Sequence, residues 1–175
     1  IISDVVPWPF PFGPQGGMAG AVNGVEAPRD SDYCQTGSLQ HARFRFLGKA
    51  RSVLNVDIDE LVLSPSGQSI FEATENSRHG FTKFEGRWVS ATTPHAVAPE
   101  ACRHGDFWLR DRTETDECPP KWCVVPAKTS RKKHCWSEHN VFGSRANRHI
   151  SHEFEYAHVR GISTGWKEKR WDAVP

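Results

Sequence analysis

The amino-acid sequence predicts an α/β fold, and three observations carry that expectation. Residues 1–6 and 53–56 are short, apolar, β-rich runs, and a helical pattern fills the stretch between Asp32 and Lys49. Strand, loop, helix, strand is a βαβ unit, which implies parallel neighbouring strands joined by a right-handed crossover. Beyond residue 63 the pattern changes to short strands and loops. The chain therefore reads as a single domain, 1–175, in which a βαβ part (1–63) carries a second part (64–175).

Composition sets the outer limits. A length of 175 residues suits one domain. With 37% hydrophobic and 25% charged residues there is enough apolar material for a core and too much for a disordered chain. Lys+Arg number 22 and Asp+Glu 21, and that near-balance argues against a nucleic-acid binder. No apolar run approaches the ~20 residues that span a bilayer. The start, Ile1-Ile2-Ser3-Asp4, has neither Met nor a signal pattern and reads as a chain beginning inside a longer protein. Five cysteines, an odd number, favour a reduced cytoplasmic context over a disulfide scaffold. Trp residues of this kind serve core packing first and sugar-facing surfaces second.

The elements follow in order. Prolines at positions 7, 9 and 11 remove donors and fix φ, so that segment is neither helix nor central strand. Residues 13–24 form a long loop of the functional or mobile kind. Asp32 and Gln35 make a capping box. Leu39, Ala42, Phe46 and Leu47 give the following helix one apolar face, and Arg43, Arg45 and Lys49 suit the dipole at its end. The run 53–56 is a buried strand that leads into Asp57-Ile58-Asp59-Glu60. A short helix is expected over 69–75. Strands are expected at 81–84 and 87–91, with Glu85-Gly86 as their turn. Residues 92–115 read as irregular, 121–125 and 154–159 as strands, and 165–171 as a terminal helical turn.

Asp57 and Asp59 are the sharpest chemical feature. In extended backbone they point to the same side, and paired anions at a strand end repel unless a cation lies between them. Hard oxygen ligands suit Mg²⁺ or Mn²⁺, with phosphate oxygens completing the shell. In open α/β sheets such a strand end is where ligands bind. A D-x-D followed by Glu60-Leu61-Val62 lacks the Gly-Thr of aspartyl-phosphate phosphatases, so that interpretation is disfavoured.

The Arg-rich helix from Cys34-Gln35 to Ala50, followed by Val53-Leu54-Asn55-Val56-Asp57-Ile58-Asp59-Glu60-Leu61, resembles the core of glycosyltransferase family 92 and of related family 2-like bacterial enzymes. Tyr156-Ala157-His158-Val159-Arg160 is similar to the family's closing H-Y-R or H-F-R element, and Lys121 to Pro126 to its K-x-I-V-x-P strand. The resemblance covers roughly residues 30–160. It implies a GT-A-like, Rossmann-like three-layer domain whose N-terminal nucleotide-binding strands lie outside this stretch, since only 56 residues precede Asp57. It implies inverting transfer of a sugar from a nucleotide-sugar donor, a UDP-sugar, to the hydroxyl of a carbohydrate acceptor, with Mn²⁺ or Mg²⁺ as cofactor. Asp57 would touch the donor ribose or the metal shell, and Asp59 would ligate the metal. Glu60 would orient the loop by hydrogen bonding.

The second part supplies further candidates. Among His134, His139, His149, His152 and His158, the resemblance favours His158 and then His152 as the metal's distant ligand. Arg160 could hold the leaving diphosphate in a bidentate way. An inverting transfer needs a carboxylate base. Asp106, flanked by Phe107 and Trp108, is the nominee, with Glu100, Asp111 and Glu138 as rivals. Cys118 and Cys123, with Cys102, His104, His134 and Cys135, offer an alternative zinc site, and with it an alternative reading as a non-catalytic carbohydrate- or zinc-binding module. Arg131-Lys132-Lys133-His134 reads as a solvated turn that could also meet a diphosphate or an anionic membrane surface.

Overall fold

The computed structural model describes residues 6–7, 21–22, 25–26, 35–89, 103–107, 118–129 and 134–159. In chain order these hold β1 (Ala21–Val22), β2 (Val25–Glu26), α1 (Gln35–Arg45), β3 (Val53–Asn55), β4 (Glu60–Leu63), α2 (Ile70–Asn76), β5 (Phe81–Val89), β6 (Cys118–Val124), α3 (Pro126–Thr129), β7 (Cys135–Trp136), β8 (Val141–Phe142) and β9 (Ile150–Val159). Five strands form one mixed sheet in the order β3-β6-β5-β9-β4. Only β5 and β9 run parallel; the other neighbours are antiparallel. The fold is mixed α/β, and strands from before and after residue 63 interleave in the same sheet.

The sheet buries both faces. On one, Phe84, Cys118, Cys123, Phe154 and Tyr156 pack with Leu54, Val56 and Val62 beneath Ile70 and Ala73 of α2. Ser69 caps α2 by accepting from the Glu72 N–H. On the other, Phe81, Trp122 and Val124 pack with Trp136, Val141 and Ala146, and with Leu39 and Leu47. A smaller cluster joins Val89, Phe107, Ala157 and Val159 at the far end.

Three expectations need correction. The strand at 53–56 is not a central parallel strand. It is β3, an edge strand paired antiparallel with β6 through Leu54↔Cys123. Its apolar residues serve both faces, with Val53 packed against one core cluster and Leu54 and Val56 against the other. The first strand of the expected βαβ unit falls outside the described residues, apart from Val6.

Residues 81–84 and 87–89 are not two strands around a turn. Phe81–Val89 is one strand, and Gly86 lies inside it because the Tyr156 ring occupies the space a Cβ would need, 2.2 Å from it. A glycine within a strand marks close approach as readily as it marks a turn.

The helix α1 is also shorter than expected, and its Asp32 capping box lies outside the described residues. Its inward line runs through Leu39 and Arg43 and is continued by Leu47 of the 3₁₀ turn Leu47–Lys49 that follows, rather than through Phe46, which is 54% exposed. Arg43 is buried because its guanidinium donates to the His134 carbonyl oxygen and to Gln40 Oε1 (3.1 Å) and lies over the Trp136 ring. The expected helical turn at 165–171 and most of 92–115 are likewise outside the described residues.

Candidate functional site

The D-x-D segment is a turn that closes on itself. The Glu60 N–H donates to the Asp57 carbonyl oxygen (3.1 Å), and Glu60 Oε2 accepts the Asp57 N–H (2.8 Å). Ile58 stands exposed at the tip. The backbone is therefore not extended from Asp57 to Asp59, and the two carboxylates part company instead of sharing one side. Asp57 stays half-exposed, and its Oδ2 meets Lys121 Nζ at 2.8 Å. Asp59 turns inward and is buried.

Asp59 is fixed by the sheet. Val159 N–H donates to the Asp59 carbonyl oxygen (2.7 Å), and the next residue, Glu60, starts β4 directly opposite His158 of β9. That register brings His158 Nε2 to 3.2 Å from Asp59 Oδ2. Nδ1 of the same ring lies 3.5 Å from Glu60 Oε1. On the other side Trp88, the β5 partner of His158, lays its ring 4.3 Å from the imidazole. The ring thus has Asp59 within hydrogen-bond reach of Nε2, Glu60 Oε1 and Cys118 Sγ (3.9 Å) beside Nδ1, and an indole against one face.

Glu60 is the hub of the site. Its Oε1 faces His158, and its Oε2 faces both the Asp57 N–H and Lys121 Nζ (3.1 Å). Burial pushes the Glu60 carboxyl up, against the pull of the Lys121 charge. Burial alone would lower Lys121, but the Glu60 and Asp57 charges outweigh it and its pKa is raised, so the buried ammonium stays charged. Asp57 and Glu60 set two carboxylates against this one ammonium, while Asp59 faces His158. Beyond Lys121, His139 donates from Nδ1 to the Pro120 carbonyl oxygen (3.1 Å). Its pKa is lowered, by burial and then by Lys121.

The other candidates fall elsewhere. His152 is exposed near the start of β9, where the ladder with β5 is irregular between Lys83 and Glu85, and it takes no part in the group around Asp59. Asp106 turns its Oδ2 back to the Arg103 N–H (2.7 Å) as the cap of a 3₁₀ turn at His104–Asp106. Among the described residues it does not meet Asp57, Asp59 or His158. Of its rivals, Glu138 is buried, accepts from Thr36 Oγ1 (3.0 Å), and sits beside His139 with its backbone oxygen on Asn55 Nδ2 (2.8 Å). Glu100, Asp111 and Arg160 lie outside the described residues.

Among the described residues the zinc alternative is not assembled. Cys118 and Cys123 belong to the core beneath α2, where burial raises the Cys123 thiol to about 11. Cys118 Sγ lies 3.0 Å from the Tyr156 hydroxyl. Cys135 is on the β7–β8 ribbon against the opposite face, and the His134 ring bonds to the Thr129 carbonyl oxygen. Among the described residues no group of three or more His, Cys, Asp or Glu side chains is arranged to hold a metal. Cys102 and residues 131–133 fall outside the described residues. No helix among the described residues is long and apolar enough to cross a membrane.

Sequence reasoning missed Lys121 and Trp88 as members of the site. Lys121 had a signal: a single charge placed between Pro119-Pro120 and a run of buried residues must find a counter-charge. Trp88 had none, because its contact with His158 depends on the parallel β5–β9 register. Compared with models of known protein families, with curated proteins and with solved structures, the chain matches none of them.

Proposed function

We propose that the chain contributes the metal and donor site of a divalent-metal-dependent glycosyltransferase, moving a sugar from a nucleotide-sugar to an acceptor hydroxyl. The observation that carries this reading is the pair Asp59 Oδ2 and His158 Nε2, 3.2 Å apart. In the tautomer that carries its proton on Nδ1, between Glu60 Oε1 (3.5 Å) and Cys118 Sγ (3.9 Å), Nε2 presents a lone pair toward a carboxylate oxygen. Two such atoms repel unless a proton or a cation lies between them. Neighbouring corners of a six-coordinate shell with ~2.1 Å bonds are about 3 Å apart, which is the spacing found. A carboxylate on the second nitrogen is the usual support of a metal-bound histidine.

The donor set fits a Mg²⁺- or Mn²⁺-type ion that takes one or two protein ligands and fills its shell with phosphate and water. Asp59 and His158 would hold it, and when bound the ion would offset the charge of the departing diphosphate. Asp57 is not a third ligand in this reading. It is half-exposed and already faces Lys121, which suits it to the donor ribose. Lys121 keeps the turn closed by pairing with both Asp57 and Glu60. Trp88 fixes the plane of the imidazole. His152 and Asp106 take no role in this proposal.

The test is Mn²⁺ binding to the full-length protein, followed by electron paramagnetic resonance with and without a UDP-sugar. Glu60→Gln is expected to weaken Mn²⁺ about 10- to 100-fold. His158→Gln and Asp59→Asn, which keep shape and hydrogen bonding, should weaken it more. Equal Mn²⁺ titrations in unaltered protein and in these variants would overturn the site. Absence of metal-dependent UDP-sugar binding would overturn the activity.

A further inference from the structure

The opposite end of the sheet carries a second cleft. It has a volume of about 590 Å³ and is lined by Arg78, His79, Lys128, His134 and Arg145, together with Thr129 and Ser144. Among the described residues its lining contains no carboxylate. In a chain with 22 basic and 21 acidic residues this is a marked local imbalance. Strand β5 runs between the two regions: it begins just after Gly80, over which the Lys128 stem passes, and carries Trp88 against His158. The inference is independent of the reading given to Asp59 and His158.

The cleft is built, not a chance gathering of loose side chains. The stem of Lys128 passes over Gly80, where an added Cβ would lie 2.5 Å from its Cδ. Gly80 has φ +59°, so its conformation and its lack of side chain both serve this crossing. The Lys128 ammonium then donates to the Ser77 and Glu75 carbonyl oxygens (2.9 and 3.2 Å) at the end of α2, which leaves its third hydrogen for the cleft. The acid closest in sequence, Glu75, turns its carboxylate away to Arg51 and Ser52. Arg78 and His79 come from the turn after α2, and Arg145 from the 3₁₀ turn Arg145–Arg148 that follows Gly143 (φ +80°). His134 is held by the Thr129 carbonyl oxygen.

Like charges that face one another across a cleft repel, and a ligand of opposite sign removes that cost. Two guanidinium forks beside a fixed ammonium match phosphate oxygens better than any other common anion. The volume falls within the range of small-ligand sites and exceeds one phosphate. We infer that this cleft binds a ligand carrying more than one phosphate charge, supplied either as a soluble phosphoester or as the headgroup of an anionic lipid.

The probes are inorganic pyrophosphate by calorimetry, and phosphatidylcholine vesicles with and without a phosphatidylinositol monophosphate, whose headgroup carries a phosphodiester and a phosphomonoester, by co-sedimentation. Arg78 and Arg145 are exposed, so R78Q/R145Q should fold normally. It is expected to weaken whichever probe binds by about tenfold or more, the loss of ~1.4 kcal/mol or more. The control R148Q/K49Q removes the same charge from exposed positions outside the lining and should bind as the unaltered protein does. Pyrophosphate binding alone assigns a soluble ligand, and binding to the phosphatidylinositol monophosphate vesicles alone assigns a headgroup. Equal weakening by both double variants would mean that net charge, not the cleft, holds the anion. That result, or no binding of either probe, overturns the proposal.

Discussion

His158 Nε2 lies 3.2 Å from Asp59 Oδ2 although 99 positions separate the two residues in the chain. The contact is a product of register: Glu60 opposes His158 across the β4–β9 pair, so the residue before Glu60 meets the same imidazole. If a divalent ion joins this pair in the native state, it stabilises that state by mass action. Mn²⁺ with a UDP-sugar at about 100 times the dissociation constant should add ~2.7 kcal/mol to the unfolding free energy. The gain should vanish in His158→Gln, and urea titrations of the two proteins with and without ligand measure it. A gain of the same size in the variant would place the ion elsewhere.

Lys121 gives a second expectation. Its ammonium is buried between Glu60 and Asp57, and Glu60 is the more deeply buried acid. Lys121→Met leaves the Glu60 charge without its cation, and breaking a buried pair from one side costs about 3–5 kcal/mol. Adding Glu60→Gln to that variant should recover part of the loss, because the stranded charge is gone. Chemical denaturation of the single and double variants decides this, and a double variant less stable than the single would refute it.

Much of this region was legible in the sequence, and the parts that were not share a cause. The strand before Asp57, a short helix where α2 lies, and the later parts of β6 and β9 follow from local pattern. What local pattern cannot give is the partner of a strand. A buried edge strand and a central strand are equally apolar when both faces are covered, so β3 read as central. Glu85-Gly86 reads as a turn until the Tyr156 ring is known to lie over Gly86. The separation of Asp57 from Asp59 was hidden for a similar reason, because Glu60 folds its carboxylate back onto the Asp57 N–H. The approach of His158 to Asp59 was expected only from the order of motifs, whereas its actual cause is the β4–β9 ladder.

Gly86 therefore supports a third expectation. Away from such contacts, alanine would suit a strand better than glycine. Here a Cβ would lie 2.2 Å from Tyr156 Cε1 and Cζ, on a ring already held by the Pro119 carbonyl oxygen and by Cys118. Gly86→Ala should thus destabilise, by about 1–3 kcal/mol as overpacked cores do. A neutral or stabilising effect in urea unfolding would show that the ring can move aside.

The last expectation concerns acid. His139 is held below its ordinary value, by burial first and by the Lys121 charge second; the Pro120 carbonyl, Glu138 and Asp57 pull the other way and lose. The folded state therefore prefers the neutral ring, with Nδ1 donating to the Pro120 carbonyl oxygen. The unfolded chain takes up its proton near pH ~6.5, before the folded chain does. Above that pH both states are neutral and His139 adds no pH dependence. As pH falls below it, stability declines until the folded pKa is reached, with a slope of at most about 1.4 kcal/mol per unit. Glu60, held above its ordinary value, has the opposite sign and gains on acidification at lower pH, so the comparison must be between variants rather than across one curve. His139→Gln keeps a donor for Pro120 and cannot titrate. Unfolding free energies of the unaltered protein and of this variant should stay parallel above pH ~6.5 and diverge below it, with the variant losing less. Parallel curves throughout would mean that His139 accepts its proton in place without cost.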